Sequence, residues 1–144
     1  MIRQAVLSDA PVLGELAILL WPSHTAPEMT AEFRDLLVRS DAAVFLAEQE
    51  GNAVGFAQCQ LRRDYVEGTE TTPVGYLEGI FVRESHRNRG LARQLLTCCE
   101  AWSIQQGCTE FASDCELTNT DSLRFHLALG FTEANRVICF TKQL

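Results

Sequence analysis

Residues Arg87-Asn88-Arg89-Gly90-Leu91-Ala92 join two guanidinium groups to small residues at the start of an amphipathic run, a composition suited to holding an anion. Gly90 and Ala92 keep side chains out of the way, so free N–H groups at a helix start could approach a pyrophosphate whose charge suits the helix dipole. A plain strand-to-helix turn with a solvated basic patch accounts for the same six residues equally well. Glu78 and Asp114 are carboxylates, groups that can accept a proton or hold a cation. Read alone, Glu78 fits a strand-edge salt bridge and Asp114 a turn or helix cap. His126 could donate a proton, or could simply pack on a helix. No G-x-S-x-G motif is present, His24 and His86 lack partners at metal or triad spacing, and Asp114 disfavours thiolate formation at the adjacent Cys115. Covalent catalysis is therefore not indicated.

The elements that must position these groups follow from periodicity and turn chemistry. Ile2, Ala5 and Leu7 predict a first strand, and Ser8-Asp9 before Pro11 predicts a helix with Val12, Leu13, Leu16, Leu19 and Leu20 on one face, ending at Trp21-Pro22. Thr25-x-x-Glu28 predicts a capping box for a helix burying Phe33, Leu36 and Leu37. Strands are expected from Ala43 to Ala47 and from Ala53 to Leu61, joined by a hairpin turn at Gly51-Asn52, with a third from Val74 to Val82. A helix from Gly90 carries Leu91, Leu95, Cys98 or Cys99, and Trp102 on one stripe and stops at Gly107. A short strand from Glu110 to Ala112, a helix from about Asn119 to Leu129 closed by Gly130, and a last strand from Val137 to Thr141 complete a mixed α/β order around a central sheet.

Composition bounds the rest. The 144 residues, 47% hydrophobic, have no linker or repeat and predict one domain over residues 1–144. A net charge of −7 argues against nucleic acid and suits a cationic ligand. The six cysteines show neither C-x-x-C nor zinc spacing and read mainly as small buried residues, so no metal is expected. With no signal-like N-terminus and no apolar stretch near the ~20 residues of a membrane span, a soluble cytoplasmic protein without a membrane partner is expected.

Residues 87–92 match the R/Q-x-x-G-x-G/A signature of the GNAT superfamily, with the preceding strand and the later Asn119…Leu129-Gly130-Phe131 in the order that superfamily shows. The chain more narrowly resembles the aminoglycoside 6'-N-acetyltransferases in Leu20-Trp21-Pro22, Asp64-Tyr65-Val66-Glu67-Gly68, Leu77-Glu78-Gly79-Ile80 and Glu110-Phe111-Ala112-Ser113-Asp114. Together these segments span nearly the whole chain. The resemblance implies a GNAT fold: a central mixed, mostly antiparallel sheet with two splayed strands, flanked by about four helices. It also implies acetyl-CoA as donor, an aminoglycoside amine as acceptor, direct transfer without a metal, and a homodimer to which the C-terminal strand contributes.

The same resemblance distributes roles among residues. Ile80, Phe81 and Val82 line the arm of acetyl-CoA, with a free N–H of Phe81 or Val82 polarising the thioester. Arg87, Asn88, Arg89, Gly90, Leu91 and Ala92 hold the pyrophosphate, and Asn119 contacts the cofactor. Glu78 and Asp114 bind and help deprotonate the acceptor, which Tyr65 and Trp21 position, although core packing is an alternative for both aromatic residues. Many GNAT enzymes place a tyrosine four residues before the glycine of the L-G-F motif to protonate the leaving thiolate; here that position is His126, as in the aminoglycoside branch. Asn135 stands where related enzymes often have an acidic residue, keeping a hydrogen bond to substrate but losing a charge. Two other readings remain: a GNAT enzyme for another small amine or a protein N-terminus, and a CoA-binding regulatory module without turnover.

Overall fold

Residues 43–47 are apolar without interruption, which requires a strand covered on both sides. In the computed structural model, which describes all 144 residues, Ala43, Phe45 and Ala47 enter one core while Val44 and Leu46 enter another. The elements run β1 (Ile2–Gln4), α1 (Ala10–Leu20), α2 (Ala26–Leu37), β2 (Ala42–Gln49), β3 (Asn52–Arg62), β4 (Val74–Val82), α3 (Leu91–Gln105), β5 (Phe111–Ala112) and α4 (Thr120–Ala128). Five strands form one sheet in the order β1-β2-β3-β4-β5, antiparallel except for the parallel β4–β5 pair. Four α-helices flank it, as the resemblance implied.

On one face, α1 and α2 bury Leu13, Leu16, Met29 and Phe33 against Val44, Leu46 and Phe56. On the other, α3 buries Leu91, Leu95, Cys99 and Trp102 against β2, β3 and β4, so Cys99 rather than Cys98 faces the core. The capping box forms: the Glu28 amide donates to Thr25 Oγ1, and the Thr25 amide donates to Glu28 Oε2, each at 3.3 Å.

Several sequence expectations need correction. The hairpin turn is Glu50-Gly51, not Gly51-Asn52; both residues have positive φ, 51° and 79°, as a tight type I′ turn requires, and Asn52 already pairs with Gln49. The first strand ends at Gln4, and Leu7 lies in an exposed 3-10 turn, because the Asp9 carboxylate draws the chain round by accepting from the Val6 amide at 2.7 Å. Leu19 lies on the exposed side of α1. Cys115 and Cys139 are exposed rather than buried. The final strand, Val137 to Thr141, does not form: residues 131–144 contain neither helix nor strand, and Val137, Ile138 and Phe140 face outward. A strand needs a partner edge, and the two-residue β5 offers almost none.

Candidate active site

The register between β3 and β4 slips at one step. Gln58 pairs with Gly79 and Cys59 with Leu77, leaving Glu78 as the extra residue of a β-bulge. The bulge re-aims β4 where β5 leaves it, since β5 pairs only with Gly75 and Tyr76. From Leu77 to Val82 the far edge of β4 therefore has no strand partner, which is the splay the family resemblance implied. The Arg83 amide bonds to Val54 O on β3 at 2.8 Å. Alternation along an antiparallel ladder then turns the Phe81 N–H toward β3 and the Ile80 and Val82 N–H groups outward. Of the two donors considered for the thioester, this geometry favours Val82.

Beyond β4 the chain makes one 3-10 turn, Glu84–His86, before α3. Asn88 and Gly90 both take positive φ, 61° and 78°, and no side chain caps the first turn of α3. Its leading N–H groups are thus available to a ligand. The Arg87 Nε donates to Val82 O at 2.9 Å, tying the guanidinium to the end of β4. Leu19, Phe81, Arg83, Glu84, Ser85 and Arg87 line an open cleft of about 640 Å³. An apolar flank and two arginines fit the arm and phosphates of acetyl-CoA. Asn119, by contrast, caps α4: its Oδ1 accepts from the Ser122 amide at 3.1 Å.

The carboxylates are engaged. Both Glu78 oxygens accept from Arg62, at 3.0 Å from Nε and 2.9 Å from Nη2. The Arg62 guanidinium lies 3.4 Å from the centre of the Tyr76 ring, and the Tyr76 hydroxyl donates to Asp114. Glu78 and Asp114 are thereby joined through two residues that the sequence reading did not single out. Burial, reinforced by the Asp114 carboxylate, pushes the Tyr76 phenol well above its ordinary range and keeps it a donor. The signal for Tyr76 was available in the two-residue period of β4, which places positions 76 and 78 on one face; Arg62 needed the β3–β4 register.

His126 Nδ1 sits 2.7 Å from the Ser122 carbonyl, which assigns the proton to that nitrogen. Its Nε2 is 2.8 Å from Ser113 Oγ, which lies 3.3 Å from Leu77 O on the open edge of β4. Trp21 packs edge-on to Phe56 and covers Gly79. Tyr65 is 78% exposed, in the loop that follows β3. Asn135 Nδ2 donates to Glu67 Oε1 at 2.6 Å, joining the C-terminal segment to that loop rather than to the carboxylate pair.

The family model for the Acetyltransferase (GNAT) family matches residues 13–131. The chain belongs to the GNAT acetyltransferase family. Among its relatives, the aminoglycoside N(6')-acetyltransferase type 1 of Salmonella typhimurium is 44% identical over 124 residues, 86% of each chain. The enzyme of the same name from Stenotrophomonas maltophilia is 41% identical over 144 residues, 99% of this chain and 93% of that one. The structure of AAC(6')-Iy with the bisubstrate analogue CoA-S-monomethyl-acetylneamine superposes with a TM-score of 0.94 at 40% identity, covering 100% of this chain and 98% of that one. For this GNAT acetyltransferase, acetyl-CoA is the donor, and the open β4 edge and uncapped α3 start are the features that suit it. No group of side chains here is arranged to hold a metal ion.

Proposed function

We propose that this chain transfers the acetyl group of acetyl-CoA to the 6'-amine of aminoglycosides, by direct attack of the amine on the thioester, and that it thereby confers resistance. The observation that carries the reading is the meeting of an unpaired β4 edge with two carboxylates at the point where β5 departs. Relatives named for the same reaction match across nearly the whole chain.

Glu78 and Asp114 bind the cationic acceptor and, directly or through water, take the proton its ammonium must lose. The freed nitrogen lone pair attacks the thioester carbon, and the Val82 N–H stabilises the oxyanion. As the C–N bond is completed the nitrogen gives its second proton to His126 Nε2 by way of the Ser113 hydroxyl, and as the C–S bond breaks the same relay hands that proton to the thiolate. Arg87, Asn88, Arg89 and the amides of Gly90, Leu91 and Ala92 hold the pyrophosphate, Ile80 and Phe81 flank the arm, and Asn119 borders it. Trp21 forms a flat wall beside Gly79. Tyr65 and Asn135 contribute hydrogen bonds from the loop and the C-terminal segment, and the neutral Asn135 weakens attraction for one ammonium.

Residues 1–144 act as one domain in this reading, supported by the continuous five-stranded sheet. A homodimer is supported by the exposed apolar run of Val137, Ile138 and Phe140, which lacks a strand partner within the chain; light scattering of the protein and of Ile138→Asp tests it. No helix is long and apolar enough to cross a membrane. A cytoplasmic setting supplies acetyl-CoA and keeps the six unpaired cysteines reduced.

The test is acetyl-CoA-dependent thiol release with aminoglycosides that carry or lack a free 6'-amine, with mass spectrometry locating the acetyl group. Acetylation only where that amine is present supports the reading. Turnover on other amines alone removes the antibiotic substrate, and acetyl-CoA binding without turnover removes catalysis.

A further inference from the structure

We propose that Arg62 and Tyr76 are positioning residues for the acceptor site, Arg62 orienting Glu78 and Tyr76 orienting Asp114, with the guanidinium seated on the ring so that the two carboxylates are set as one unit. The proposal rests on the acceptor-site reading of Glu78 and Asp114.

Glu78 is the bulged residue of β4, so its backbone lacks the regular ladder that would otherwise fix the direction of its side chain. The side-on pair with Arg62 supplies that restraint, because a planar guanidinium bonded to both oxygens sets distance and orientation together. Arg62 is itself restrained by the Tyr76 ring beneath it. Tyr76 is buried with Val66 and Val74, and pairs with Ala112 two residues before Asp114, so the exposed loop carboxylate is referred back to a rigid strand.

The arrangement also sets charge. One guanidinium between two carboxylates leaves the cluster with a net charge of about −1 rather than −2, reducing their mutual repulsion while leaving attraction for a cation. A carboxylate has about four lone-pair sites, and Arg62 takes two from Glu78, leaving others for an ammonium or a water. The Arg62 side chain is 38% exposed, so the ion pair contributes little to stability. Its effect falls on orientation.

Steady-state kinetics at saturating acetyl-CoA, with a 6'-amino aminoglycoside varied, would be measured for Arg62→Gln, Arg62→Lys, Tyr76→Phe, Glu78→Gln and the Arg62→Gln/Glu78→Gln double variant. Arg62→Gln and Tyr76→Phe each lower kcat by about tenfold or more, acceptor KM does not rise in proportion, and acetyl-CoA affinity is unchanged. Arg62→Lys recovers part of the loss, and the double variant is no worse than Glu78→Gln. If Glu78→Gln loses activity while Arg62→Gln and Tyr76→Phe stay within about twofold of wild type, the positioning proposal is overturned and the acceptor-site reading survives. Losses that multiply in the double variant also overturn it, since Arg62 would then act independently of Glu78. Full kcat in Glu78→Gln removes the acceptor-site reading itself and, with it, the role given to Arg62. Tyr76→Phe keeps the ring under Arg62, so it decides the Asp114 half of the proposal even if Arg62→Gln fails to fold.

Discussion

A Cβ on Gly79 would lie 2.6 Å from the Trp21 indole, so the residue after the bulge must be glycine for the ring to rest on the strand. Gly79→Ala should displace Trp21 and cost about 1–3 kcal/mol of stability. It should also raise acceptor KM more than acetyl-CoA KM, because Trp21 packs on the residue that follows Glu78. Denaturant titration and kinetics check both; equal changes in the two KM values would place Trp21 outside the acceptor site.

Gly90 precedes α3 with φ 78°, and the nearest atom to an added Cβ is Gln94 Nε2 at 3.9 Å. Gly90→Ala is therefore sterically permitted but conformationally strained, by about 1 kcal/mol. The expected outcome is weaker acetyl-CoA binding with little change in acceptor KM, measured by calorimetry and kinetics.

Ser113 bridges His126 Nε2 and the open edge at Leu77 O. If His126 protonates the departing thiolate through this hydroxyl, Ser113→Ala lowers kcat by about tenfold or more and His126→Phe by at least as much, with acceptor KM unchanged in both. The double variant should lose no more than His126→Phe. Retention of kcat in His126→Phe would make that histidine a packing residue between Phe125 and Phe131.

Asp9 takes two hydrogen bonds from Arg3, at 2.8 and 2.9 Å, and one from the Val6 amide, and the Arg3 guanidinium first of all holds its carboxyl below the ordinary aspartate range. A depressed carboxyl contributes stability above its unfolded pKa of about 3.9 and loses it as pH falls through the lower folded value. Asp9→Asn should destabilise the protein by about 1–3 kcal/mol at pH 7. The gap from wild type should shrink below about pH 4, which chemical denaturation across pH would reveal.

Sequence alone determined most of the helices, the long strands and the glycine turn that opens α3, because their signals are local. A capping residue such as Thr25 lies three residues from its partner Glu28, and the stripe through Leu91, Leu95 and Trp102 is read within one helix. Tertiary structure decided what depends on residues brought together from afar. The C-terminal run is as apolar as a strand, yet it stays outside the sheet, where the strand at that end, β5, is only two residues long. Glu78 and Asp114 were legible as chemical groups, and the period of β4 put Tyr76 on the face of Glu78, but neither Arg62 as a partner of Glu78 nor the contact of Tyr76 with Asp114 could be read locally. Arg62 is 16 residues from Glu78, Tyr76 is 38 from Asp114, and both contacts follow from a one-residue bulge and a two-residue parallel pairing that no local pattern encodes.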